Sequence, residues 1–170
     1  MYKIGDNIVY GMSGVMTVVD KRSEKLSGEE KTYYVLADYG KRGSSLTYVP
    51  VDNEALVANM RAILTYDEAL YAISEAGKLA DLEWIPDSRK RGDAYRNIMR
   101  SANRAEILAM IRTIHNVGLS RAAQGKKNYL TDEGVMQKAE SILALELSLS
   151  LGISEPEARA LIDKEVKAIL

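Results

Sequence analysis

The hydrophobic period of this chain changes at Pro50, and that change limits it to folds in which a β part precedes a helical part. Before Pro50 the apolar residues come in short runs rich in β-branched residues and tyrosine, at 7–10, 15–19, 32–36 and 45–49. Turn residues separate them: Gly11 to Gly14 after the first, charged residues with Ser27 and Gly28 after the second, Tyr39 to Gly43 after the third. Four such strands predict a small antiparallel barrel or sheet. After Pro50 the pattern is helical. Asp52 can cap a short helix over 54–60, and Thr65 with Glu68 forms a capping box for a helix that Gly77 ends. Residues 81–87, with Trp84 and Pro86, read as a connector. Asp87 or Ser88 caps a helix to about Arg100. Residues 104–117 place Ile107, Leu108, Ile111 and Ile114 on one face and stop at Gly118. Thr131 opens a helix to about Leu151, and Ser154 with Glu157 caps a last one reaching Ile169. Leu143, Leu145, Leu147, Leu149 and Leu151 alternate as a strand would, but residues 139–147 are rich in helix formers, and we assign a buried helix. The fold class is α+β, with a β domain over 1–61 and a helical bundle over 62–170.

Residue types exclude much chemistry. The 170 residues contain no cysteine, which removes disulfides, thiol catalysis and cysteine-ligated metals. One histidine, His115, removes multi-histidine metal motifs, and its place near a helix end reads as terminal or surface. Phosphate-loop, dinucleotide, zinc-protease and nucleophile-elbow motifs are missing. Asp67-Glu68 and Asp132-Glu133 fall in first helical turns, where the dipole favours acids, and read as capping. No catalytic residue, cofactor or metal is expected. No run approaches the roughly 18 apolar residues of a membrane span, and Met1 to Asp6 lacks a signal core, so the expected location is cytoplasmic, away from membranes.

A net charge of −1 hides an asymmetry. Residues 1–83 carry −4, residues 84–127 carry +7 with 10 Lys/Arg against 3 Asp/Glu, and residues 128–170 carry −4. The basic block opens with Arg89, Lys90, Arg91, Arg96, Arg100 and Arg104. On a helix, Arg89, Arg96 and Arg100 lie broadly along one side. Two readings stand: a solvated face paired with acids of the flanking blocks, or a row of cations that neutralises phosphates without reading bases. Trp84, the only tryptophan, directly precedes this helix. It too has two readings, a core residue fixing helix packing or an exposed wedge that stacks on an opened base step.

Four collinear stretches resemble the CarD (CdnL) family of bacterial transcription regulators, whose first domain is shared with the transcription-repair coupling factor. They are Ile4-Gly5-Asp6-Asn7-Ile8-Val9-Tyr10 with Gly14; Tyr33-Tyr34-Val35-Leu36 and Val49-Pro50-Val51-Asp52-Asn53; Trp84 with Arg89 to Arg96; and Ala139-Glu140-Ser141-Ile142-Leu143 with Glu146-Leu147. The resemblance implies an N-terminal SH3/Tudor-like antiparallel β barrel that binds the RNA polymerase β subunit. It also implies a C-terminal helical bundle that contacts promoter DNA just upstream of the melted region and stabilises the open complex. Trp84 inherits the wedge role, and Arg89, Lys90 and Arg91, with Arg96 and Arg100 on the same helix, are the expected DNA contacts. Glu24, Leu26 and Tyr48 occupy the expected polymerase-contact positions. Glu24 and Tyr48 stand where family members carry arginines, Ser13 stands where they carry histidine, and residues 85–88 lengthen the step from tryptophan to arginines. The expected protein is a monomeric, non-enzymatic regulator; the alternative is an adaptor whose basic helix binds an acidic protein partner.

Overall fold

The computed structural model describes residues 1–25, 28–41, 43–101 and 103–167, with only the backbone of Lys167. The chain divides into two compact units, Met1–Ile63 and Leu64–Leu170. The fold class is α+β, a five-stranded antiparallel sheet followed by helices.

The first unit holds β1 (Asn7–Tyr10), β2 (Gly14–Glu24), β3 (Lys31–Asp38), β4 (Thr47–Pro50), α1 (Glu54–Val57) and β5 (Met60–Ala62), with sheet order β4-β3-β2-β1-β5. Pairing sets Ile8 opposite Met16, Val18 opposite Leu36 and Tyr34 opposite Val49. Because strand side chains alternate, these residues share one face and form the core with Met60. A bulge between Val18 and Asp20 leaves Val19 exposed. Gly11 and Gly14 turn the β1–β2 hairpin with φ of +48° and +102°, which disfavour a side chain.

Two strand readings and one helix reading are corrected. β2 runs five residues past Val19, because Lys21 to Glu24 pair with Tyr34 to Lys31 rather than turning. β4 starts at Thr47 and includes Pro50, on an edge where a missing donor is tolerated. The helix expected over 54–60 ends at Val57, is capped by Asn53 rather than Asp52, and gives way to β5. Pairing of β5 with β1, and burial of Met60, override the local helical pattern.

The second unit holds α2 (Tyr66–Ala76), α3 (Ser88–Arg100), α4 (Arg104–Ala123), α5 (Leu130–Leu151) and α6 (Glu155–Lys167). The Thr65–Glu68 and Ser154–Glu157 capping boxes form as read, and Asp87 caps α3. α5 is helical throughout and buries Ala139, Ile142, Leu143, Ala144 and Leu147. The end expected for α6 at Ile169 lies outside the described residues. α4 packs against α2, α3, α5 and α6, so residues 107–114 are buried all round rather than on one face. It also continues through Gly118. A Cβ there would meet the Asn128 side chain at 3.1 Å, so the glycine serves a close approach instead of a stop. α5 begins one residue before Thr131 and has no side-chain cap.

Candidate partner and nucleic-acid surfaces

On the β unit, strand register gathers a polar and aromatic cluster. Arg22 lies opposite Tyr33, and Val35 lies opposite Tyr48, so Arg22, Tyr33 and Tyr48 share a sheet face. The Arg22 guanidinium donates to the Tyr48 hydroxyl at 2.6 Å and pairs with Glu24 at 2.6 Å and Asp20 at 3.5 Å. Its carbon sits 5.6 Å from the Tyr48 ring centroid, and Tyr48 meets Tyr33 edge-on at 6.1 Å. The fold thus brings Glu24 and Tyr48 together through Arg22, a residue that sequence alone assigns to the charged turn after the second strand. Leu26 lies outside the described residues. Ser13 is exposed at the tip of the first hairpin.

On the helical unit, α3 exposes Arg89, Lys90, Arg96 and Arg100. Arg96 pairs with Asp93 one turn earlier, whereas Arg89, Lys90 and Arg100 form no ion pair among the described residues. A groove of about 440 Å³ runs beside them, lined by Ser88, Arg89, Gly92, Arg96, Thr131 and Val135 among others. Arg91 is not on this face, which corrects its assignment to phosphate contact. It is fully buried. Its Nε donates to both carboxylate oxygens of Asp132 at 2.9 and 3.1 Å, and its Nη1 to the carbonyls of Ile85 and Pro86 at 2.7 and 3.1 Å. Asp132 is therefore the partner of a buried cation and more than a capping acid.

Two further arginines of the basic block are buried against acids from outside it. Arg104 pairs with Glu146 at 2.6 Å, and Arg112 with Asp81 at 2.6 Å while donating to the carbonyls of Ala76 and Leu79. The +7 of residues 84–127 is consequently not all surface charge: three of its ten cations are neutralised inside the unit. Burial pushes the Asp81 carboxyl up, but hydrogen bonds from Arg112 and Asn116 and the Arg112 charge outweigh it and leave the group below its ordinary value. Burial, and then the Asp132 charge, push the Tyr95 phenol up to about 12, so it stays neutral.

Trp84 is half-buried, between its two sequence readings. Its ring stacks on Tyr129 with centroids 5.7 Å apart and planes 29° apart, and the Arg91 guanidinium carbon lies 4.2 Å from its centroid. Arg121 lies 4.0 Å from the Tyr129 centroid. His115 is half-buried and lines a cavity of about 200 Å³ with Gly118, Arg121, Asn128 and Tyr129. No grouping of metal-ligating side chains occurs among the described residues, and no described helix is long and apolar enough to cross a membrane.

Residues 2–64 match the family described as the CarD-like/TRCF RID domain. No curated protein matches the chain. The matched segment coincides with the compact unit Met1–Ile63, which holds the whole sheet and α1. The family is one of interaction domains rather than catalytic ones, and the N-terminal β unit of this protein is similar to it.

Proposed function

We propose that this protein regulates transcription by docking its β unit on the β subunit of RNA polymerase, while its helical unit contacts promoter DNA just upstream of the melted region and stabilises the open complex. The observation that carries the reading is the RID-domain match over residues 2–64, a family whose members interact with RNA polymerase. In this reading the sheet is an SH3/Tudor-like barrel, and Glu24, Tyr48 and the Arg22 between them form part of the docking face. Arg89, Lys90 and Arg100 neutralise phosphates, with Arg96 contributing when it leaves Asp93. The half-exposed Trp84 stacks where the duplex opens. Polymerase binding holds the helical unit near its DNA at high effective concentration, so modest intrinsic affinity suffices. Specificity comes from polymerase position and DNA distortion rather than base readout. The protein acts as a cytoplasmic monomer with no cofactor.

The test combines purified bacterial RNA polymerase, a promoter fragment and the full chain. Co-elution with polymerase and a longer open-complex lifetime are the expected results. Failure to co-elute overturns the docking role. Co-elution with an unchanged lifetime, and with DNA affinity indifferent to salt, favours the adaptor whose basic helix takes an acidic protein.

A further inference from the structure

Trp84 belongs to no helix or strand, so the regular backbone does not set its direction. Side chains from three other segments do. Upstream, the Leu82 amide donates to the Thr113 hydroxyl at 2.8 Å, and Asp81 is held by Arg112 and Asn116. Downstream, Arg91 Nη1 holds the two carbonyls that follow Trp84, those of Ile85 and Pro86. The same guanidinium lies 4.2 Å from the Trp84 ring centroid and 4.8 Å from that of Tyr129, while Tyr129 stacks on the indole. Arg91 is fixed in turn by Asp132, through two hydrogen bonds from Nε. Its Nη2 is buried with no hydrogen-bond acceptor among the described residues, so the aromatic rings are what the rest of this buried cation faces.

We propose that Arg91, Tyr129 and Asp132 are positioning residues that hold the indole of Trp84 in one orientation for stacking on opened DNA. This inference rests on the functional reading above. A free tryptophan would lose rotamer freedom when it stacks; one already seated does not, and the saving appears as affinity for the opened step. The planar guanidinium matters here, because it meets two carbonyls, a carboxylate and two rings at once, which an ammonium does not. None of the three residues needs to touch DNA. Their effect on opened DNA passes through Trp84, while contacts with intact duplex are left to α3.

Trp84 is the only tryptophan, so indole fluorescence, excited where the tyrosines do not absorb, reports its surroundings alone. The experiment compares Tyr129→Ala, Tyr129→Phe, Trp84→Ala and the double variant Trp84→Ala/Tyr129→Ala. It reads acrylamide quenching of Trp84 and affinity for a fork-junction oligonucleotide against a fully paired duplex of equal length. Tyr129→Ala is expected to increase quenching and to lower the fork-over-duplex preference by about fivefold at unchanged duplex affinity. Tyr129→Phe keeps the ring and restores both readouts. Once Trp84 is gone, removing Tyr129 costs no further preference. Arg91→Lys, where circular dichroism shows it folded, repeats the Tyr129→Ala pattern with the charge retained. An unchanged fork preference in Tyr129→Ala overturns the proposal, and so does a loss that adds fully to that of Trp84→Ala. If Trp84→Ala itself keeps its fork preference, the functional reading fails first and this role fails with it.

Discussion

Two ion pairs, one from each unit, differ in where they stand. In the β unit Arg22 meets Glu24 with the two side chains 43% and 30% exposed, on strand positions two residues apart. In the helical unit Arg91 meets Asp132 with side chains 1% and 5% exposed, from positions 41 residues apart. A surface pair gains little in stability, because water screens it and two long side chains must be ordered. A buried pair is costly to assemble and costlier to break, because the surviving partner is left charged without water. Arg22 is thus available to a partner, whereas Arg91 is part of the interior.

The strongest way to break the comparison is Asp132→Ala. It strands the Arg91 guanidinium inside the helical unit and is expected to cost about 3–5 kcal/mol of stability in denaturant unfolding. Replacing both partners, as Arg91→Met with Asp132→Leu, should cost clearly less than the single change, because no charge is left uncompensated. A single variant as stable as the wild type means that Arg91 is not held as described.

A second contrast lies along α3 itself, where Arg91 faces inward and Arg89, Lys90 and Arg100 face out. Replacing the three outward cations with alanine should leave the unfolding midpoint nearly unmoved. It should flatten the dependence of log DNA affinity on log salt, by about one unit for each phosphate that is no longer neutralised. Arg96→Ala should change the slope less, since Arg96 is already shared with Asp93. A triple variant with the wild-type slope removes α3 from the DNA surface.

What the sequence made legible follows from range. The capping boxes at Thr65–Glu68 and Ser154–Glu157 were readable because both partners lie within one turn. The outward row of α3 was readable because spacings of four and seven recur on one face. β5 was not: three residues carry too little period to outvote the helical run before them, and only pairing with β1 makes them a strand. The seat of Trp84 was hidden for the same reason, since Tyr129 and Asp132 come from far along the chain. Lys21 to Glu24 carry three charges in four residues, which is a turn-like composition; the pairing partners that make the run a strand lie in β3.

Acid titration sharpens the comparison within the buried class. Asp81 is partly exposed, with Arg112 buried against it. Its folded pKa lies below the ordinary 3.8, so the stabilisation it gives is present above that value and is lost as pH falls through the folded one. The acid limb of the unfolding midpoint against pH should therefore be shallower in Asp81→Asn than in the wild type over that window, with the two curves parallel near neutrality. Parallel curves throughout the acid range leave Asp81 no part in acid unfolding.

The smallest stability effect is expected where the sheet surface is most polar. Arg22 bridges Glu24, Asp20 and the Tyr48 hydroxyl, yet all of these contacts stand at the surface. Water replaces them readily, so Glu24→Gln and Tyr48→Phe should leave the denaturant midpoint within its experimental error. Their effect on docking is expected to be larger than on folding. Tyr48→Phe removes the acceptor that fixes the Arg22 fork, and Glu24→Gln removes the charge that balances it. Each frees the guanidinium from one orientation, and a partner that reads this face must then order it again at the cost of side-chain entropy. Binding of the full chain to RNA polymerase should weaken in both variants while unfolding does not change. A fall in stability matched to the fall in binding would make the cluster a structural brace; unchanged binding in both would move the docking face elsewhere on the sheet.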